Sequence, residues 1–182
     1  MTDLGATLLT LARNAIAAKL GLSQAEAGDL PELHQPGATF VTLTRHGQLR
    51  GCIGSLEAWR SLLTDVQDNA LSAAFRDPRF TPLDASEFAT TRIEVSLLTA
   101  PQPMSFTSEA NALAQLRPEI DGVIFSAGRH RATFLPQVWE QLPTPAVFMA
   151  HLKQKAGLPP DYWGSDVRIE RYQVQKWKEK SC

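Results

Sequence analysis

Only two cysteines occur in the chain, Cys52 in the interior and Cys182 at the last position. That excludes a disulfide framework and leads to the expectation of two free thiols in a reducing compartment. An excess of charge of either sign is also missing: 18 Lys and Arg face 19 Asp and Glu, for a net charge of −1. No global field therefore draws the protein to polyanions, and no block of like charge forms a binding tail, so nucleic acid is not an expected partner. Apolar runs stay well short of the about 20 residues that cross a bilayer. The first residues show no basic region followed by an apolar run and a small-residue cleavage site, and a cytoplasmic protein without membrane contact is expected. The phosphate-cradling glycine loop, the dinucleotide fingerprint, CxxC and HExxH are all absent. The histidines, His34, His46, His130 and His151, are scattered, so neither a metal site nor a cofactor is expected.

What is present is enough apolar material for a core. With 182 residues, 43% of them hydrophobic, the chain can bury about two thirds of the surface its unfolded form exposes. No internal repeat or low-complexity tract interrupts it, and no linker is long enough to separate two independent domains, so residues 1–182 read as one domain.

Hydrophobic spacing gives the elements. Leu4, Leu8, Leu11, Ala12, Ala15 and Ile16 recur at helical intervals and predict an amphipathic helix over 3–20. Residues 38–44 alternate, Arg45-His46-Gly47 supplies a short turn, and 48–56 follows as the second strand of a hairpin. Helical spacing returns over 60–75 and stops at Asp77-Pro78, because the residue before proline avoids the helical region. The span 91–99 sets Ile93, Val95 and Leu97 against Arg92, Glu94 and Ser96, a strand with one polar side. A short helix over 108–116, a second hairpin at 122–126 and 131–135, helices over 136–142 and 145–156, and a final strand over 167–177 complete the reading. Strands joined by hairpins and mixed with helices make this an α+β protein, mainly antiparallel sheet flanked by helices.

The most informative run is Leu49-Arg50-Gly51-Cys52-Ile53-Gly54-Ser55. It sets the interior cysteine between two glycines on a strand, with Arg50 two positions away and so on the same face. A guanidinium beside a thiol favours thiolate, and the missing side chains at Gly51 and Gly54 allow a ligand or another backbone to approach. One reading is a reactive, ligand-facing cysteine. The other is a buried structural thiol between glycines that relieve crowding. Glu94 lies on the polar face of its strand, where it can pair with Arg50 or supply acid–base chemistry beside Cys52. Asp77-Pro78-Arg79-Phe80 forms an elbow in which Asp77 turns the chain and Arg79 braces it, with binding of a substrate anion as the second role for Arg79. Arg129-His130-Arg131 reads as a solvated hairpin tip. Trp139, Tyr162 and Trp163 read as core anchors, as do Phe40, Phe80 and Phe134.

LRGCIGS, together with FRDPRFTPL at 75–83, IEVSLLT at 93–99, FLPQVWEQ at 134–141 and KAGLPPDYW at 155–163, resembles the AMMECR domain family, whose prokaryotic members are called AmmeMemoRadiSam system protein A. The resemblance runs from about residue 5 to 177, with LRGCIG as the signature. It implies a fold more than a reaction: a single AMMECR-type domain with a larger lobe built from both chain ends, a smaller lobe, and the signature near a groove between them. It also implies Memo-type and radical-SAM proteins as companions. Two functions fit these residues. In one, a small ligand occupies the groove and Cys52 and Glu94 act on it, with Arg50, Gly51, Gly54 and Arg79 binding it. In the other, the LRGCIG strand and groove recognise a protein or nucleic acid without chemistry.

Overall fold

The computed structural model describes residues 3–180, and Cys182, the second expected thiol, lies outside them. In chain order the elements are helix α1 (Leu4–Lys19), a 3-10 turn (Pro31–His34), strands β1 (Ala38–Arg45) and β2 (Gln48–Gly54), helices α2 (Leu62–Phe75) and α3 (Ala85–Phe88), and strands β3 (Thr91–Leu98) and β4 (Gln102–Pro103). Helix α4 (Glu109–Gln115), strands β5 (Gly122–Ala127) and β6 (His130–Phe134), a 3-10 turn (Pro136–Glu140), helix α5 (Pro145–Lys155), and strands β7 (Val167–Tyr172) and β8 (Val174–Lys178) follow. All the strand pairs whose register is defined are antiparallel. The protein is α+β, antiparallel sheet flanked by helices, and among the described residues no helix is long and apolar enough to cross a membrane.

Two compact units emerge. The first takes the residues up to Leu98 and those from Gln175 onward. Its sheet has the order β2-β1-β3-β8, with β2 at one edge. Val41, Leu43, Ile93 and Val95 line one face and pack with Leu8, Ala12 and Ile16 of α1 and Val66, Ala70 and Ala73 of α2. The periodicity of both helices supplies that stripe, and side-chain caps start them: Asp3 accepts from the Gly5 N–H and Ser61 from the Thr64 N–H.

The second unit takes Thr99–Val174 and builds the sheet β4-β7-β5-β6. Trp139 stacks on Phe148 with ring centroids 3.8 Å apart, and its indole N–H donates to the Asp121 carbonyl at 2.7 Å. The residues 167–177, expected as one strand, divide at Gln173 into β7 and β8, which belong to different sheets. Gln173 and Thr99 bond to each other instead: the Thr99 N–H donates to the Gln173 carbonyl at 2.8 Å, and the Gln173 N–H to Thr99 Oγ1 at 2.7 Å. The expected helix over 136–142 is a 3-10 turn ending at Glu140.

Candidate functional site

The site is built on the sheet of the first unit. Strand β1 pairs Thr42 with Cys52 on one side and with Glu94 on the other. The three side chains therefore form a row across one face, about 10 Å from Cα to Cα between its ends. That face is opposite the one carrying Val41 and Leu43, and all three residues of the row are half-buried. The Thr42 hydroxyl lies 3.2 Å from Cys52 Sγ. Such closeness is expected where two strand residues face each other without exchanging main-chain bonds, and the main-chain groups of Cys52 have other partners.

Those partners come from the elbow that follows α2. Asp77, only 4% exposed, accepts the Cys52 N–H at 3.0 Å, and Arg79 Nη2 donates to the Cys52 carbonyl at 3.3 Å. The same two side chains hold each other, with Arg79 Nε and Nη2 on the carboxylate at 3.0 and 2.7 Å. An aspartate–arginine pair thus occupies the edge of β2 where a further strand would bond. Local chemistry accounts for the elbow: Asp at the first and Pro at the second position favour a turn, which the Phe80 N–H closes on the Asp77 carbonyl at 3.1 Å. Arg79 first, and then the N–H groups of Cys52 and Arg79, hold the Asp77 carboxyl far below its usual range against the opposing effect of burial. Arg79 itself is raised, first by its hydrogen bonds to Asp77.

Arg50 does not meet Glu94. A register shift between Leu43 and Thr44 leaves Arg50 as the extra residue of a β-bulge. Its guanidinium donates to Glu87 at 3.0 and 3.1 Å and to the Thr81 carbonyl at 2.8 Å. Glu87 is held below the usual carboxylate range, chiefly by that arginine. Arg50 Nη1 is buried without a hydrogen-bond partner. Among the described residues Glu94 has no hydrogen-bond or ion-pair partner. The cation against the Cys52 main chain is therefore Arg79, 27 residues along the chain.

The two glycines of the run face protein atoms. A Cβ on Gly51 would fall 2.1 Å from the Ala73 carbonyl oxygen of α2, and one on Gly54 would fall 2.2 Å from the Phe40 ring of β1. Gly51 thus admits a helix backbone, and Gly54 admits a cross-strand aromatic ring.

A buried network that single residues do not advertise roots the loop after β2. Asp65, fully buried, accepts from the Thr39 N–H and hydroxyl at 2.7 Å each, from Arg60 Nε at 2.8 Å and from the Ser55 hydroxyl at 2.5 Å. An acid in the first turn of a helix ordinarily reads as a dipole partner, which is why sequence reasoning passed over it. A 450 Å³ depression elsewhere in this unit, lined in part by Ala6, Leu9, Arg13 and Glu179, contains none of the site residues. Its Arg13 is committed to Glu179 at 2.5 and 2.6 Å and to the Thr91 carbonyl at 2.6 Å. Among the described residues no group of three His, Cys, Asp or Glu side chains is placed to hold a metal.

Known proteins share this architecture. The AMMECR1 family model matches residues 9–177. A protein of Methanothermobacter thermautotrophicus is 38% identical over 182 residues, covering 97% of this chain and 95% of its own length. One from Saccharolobus solfataricus is 35% identical, covering 97% of this chain and 82% of its own. The crystal structure of an uncharacterised protein from Pyrococcus horikoshii superimposes with a TM-score of 0.80 at 31% identity, covering 99% of this chain and 93% of the other. The chain belongs to the AMMECR1 family.

Proposed function

From that membership and the sheet geometry we propose that the protein binds a small ligand on the polar face of its first sheet and that Cys52 acts on it as a nucleophilic thiol. Glu94 supplies acid–base chemistry to a ligand lying across Thr42, since about 10 Å separates it from Cys52 and direct exchange between them is too long. Arg79 binds and orients. Arg50 shapes the strand through its bulge, Gly51 lets the helix close in beneath the sheet, and Gly54 makes room for the Phe40 ring beside the ligand on the same face. As the resemblance implies, the protein works with Memo-type and radical-SAM proteins that make or consume the ligand.

The observation that carries this reading is the double clamp on Cys52. Its N–H and C=O are each bonded to a charged side chain, 3.0 and 3.3 Å away, and its thiol meets a hydroxyl at 3.2 Å. Besides capping the edge strand, the clamp gives the sulfur what a reacting thiol needs, a fixed orientation and a charged surrounding.

A second reading, a non-catalytic module that recognises a protein or nucleic acid through the LRGCIG strand, draws on the position of β2 at a sheet edge, where an extended partner segment can add. The Asp77–Arg79 pair covers the middle of that edge, so the catalytic reading is preferred. Cys52→Ser separates the two, because a hydroxyl nearly keeps the shape and does not readily ionise. In a strain lacking the gene, the serine variant is expected to fail in complementation while it still captures Memo-type and radical-SAM proteins in a pull-down. Full complementation would refute Cys52 as a nucleophile.

A further inference from the structure

We infer that the ligand of this site is a small acid, held through a carboxylate or phosphate group by the outer guanidinium edge of Arg79 beside Cys52. The inference rests on the proposed reactive role of Cys52 and adds the chemical class of what it reacts with.

Arg79 is divided in its duties. Nε and Nη2 are committed to Asp77 and to the Cys52 carbonyl. Nη1 has no bond among the described residues, and the side chain is 54% exposed. The aspartate therefore fixes the plane of the guanidinium and directs its remaining donors outward, next to the strand that carries the thiol. A fixed fork presenting spare N–H groups suits carboxylate and phosphate oxygens, and holding the arginine in advance removes the entropy of ordering it on binding.

The neighbourhood adds a second cation. Arg50 and Arg79 both stand over the Phe80 ring, their guanidinium carbons 5.9 and 5.4 Å from its centroid. Arg50 Nη1 is buried and closed to a ligand, so the donors a ligand reaches are the outward ones of Arg79. Because Asp77 and Glu87 balance the two arginines, recognition here works through directed hydrogen bonds at short range. A bare excess of positive charge is not what the site offers. Glu94, at the far end of the row from Cys52, repels a second anionic group, so the ligand carries its acid at the Arg79 end only.

The test uses a Cys182→Ser chain, in which Cys52 is the sole thiol, and two alkylating reagents that differ in charge. Iodoacetate carries a carboxylate and iodoacetamide does not. With either, a bond forms between Cys52 Sγ and the methylene carbon, the carbon–iodine bond breaks, iodide leaves with its electron pair, and the thiol proton passes to buffer. The rate ratio of iodoacetate to iodoacetamide on the native chain is expected to exceed that on the urea-denatured chain by about tenfold, the factor one well-made charged hydrogen bond supplies. Sodium phosphate or sodium acetate, compared with chloride at equal ionic strength, is expected to slow native labelling by iodoacetamide. Protection by phosphate alone assigns a phosphate ligand, and protection by acetate alone assigns a carboxylate. Arg79→Gln should abolish both effects, and the protection assay does not depend on that variant folding. Iodoacetamide labelling with the denatured-chain ratio and no protection by either ion would overturn the small-acid inference and leave the reactive thiol standing. A native Cys52 inert to both reagents would overturn both.

Discussion

Gly51→Ala adds one methyl group at the closest approach between β2 and α2. The φ angle of Gly51 is outside the left-handed range, so alanine meets no backbone obstacle, and the smaller freedom of the unfolded chain alone would stabilise the variant by about 0.4–1 kcal/mol. Sterics reverse that sign. The new Cβ would stand 2.1 Å from the Ala73 carbonyl oxygen and 3.0 Å from its carbonyl carbon, so strand and helix must part by about 1 Å in a packed interior that yields little. The obstacle is helix backbone, and it cannot swing aside. Ala73 is 1% exposed and belongs to the same core as Val66, Ala70 and Ile93, so the displacement spreads into apolar contacts. A net loss of about 2–3 kcal/mol follows, a large part of the about 5–15 kcal/mol that domains possess. Gly54→Ala provides the comparison, because its obstacle at 2.2 Å is the half-buried Phe40 ring, which can rotate. About 1 kcal/mol is expected there. In urea denaturation followed by tryptophan fluorescence, Gly51→Ala should lower the midpoint by about 1 M or more with an unchanged slope. A loss below about 0.5 kcal/mol, or a larger loss for Gly54→Ala than for Gly51→Ala, would refute the reasoning.

Asp77→Asn removes the carboxylate that holds Arg79 and the Cys52 N–H. The folded Asp77 is held below the ordinary aspartate value near 3.9, so its stabilisation is complete at neutral pH and fades only as pH falls from about 4 toward the folded value. The stability gap between wild type and variant, about 1–3 kcal/mol, should therefore stay level from pH 8 to pH 5 and narrow in stronger acid. A gap that changes between pH 6 and pH 8 would contradict this. Thr42→Val replaces the hydroxyl 3.2 Å from Cys52 Sγ with a methyl of similar shape, and alkylation of Cys52 at neutral pH is expected to slow about fivefold, with Thr42→Ser restoring it. Equal rates in all three proteins would show that the hydroxyl does not assist the sulfur.

The elements followed hydrophobic period closely where that period changes. Helix α1 lies within 3–20, both hairpins fall at their expected turns, and α2 closes before Asp77-Pro78, since each boundary is marked by residues adjacent to it. The break between β7 and β8 has no such mark. Residues Val167 to Trp177 are strand-like throughout, and Gln173 carries neither glycine nor proline chemistry. Its bonds go to Thr99, and a partner 74 residues away leaves no trace in a local window. The two-residue strand β4 was hidden for the opposite reason. It contains Pro103 and follows Pro101, and proline ordinarily breaks a strand, yet it is tolerated on an edge strand, which is where β4 lies.

Cys52 and its glycines stood out in the sequence because a thiol between two residues without side chains is rare in an ordinary core strand, and the structure gives each glycine a steric reason. The cation was harder to assign. Alternation along β2 put Arg50 beside the thiol, but the bulge at Arg50 breaks the alternation, and Glu87 of α3 claims the guanidinium. Arg79 reads from the sequence as the brace of a turn, with anion binding as its second role, and nothing local marks it as the cation beside Cys52. Its position follows from a problem the strand itself creates: β2 is an edge, and an edge strand must hide its open N–H and C=O groups. The elbow solves that problem with one acceptor and one donor on alternate residues, Asp77 for the N–H and Arg79 for the C=O. Capping the edge at Cys52 necessarily brings a guanidinium to the residue that carries the thiol. Protection of the edge and placement of the cation are then one requirement on one pair of residues, and for that reason Asp77→Asn is expected to disturb stability and Cys52 labelling together.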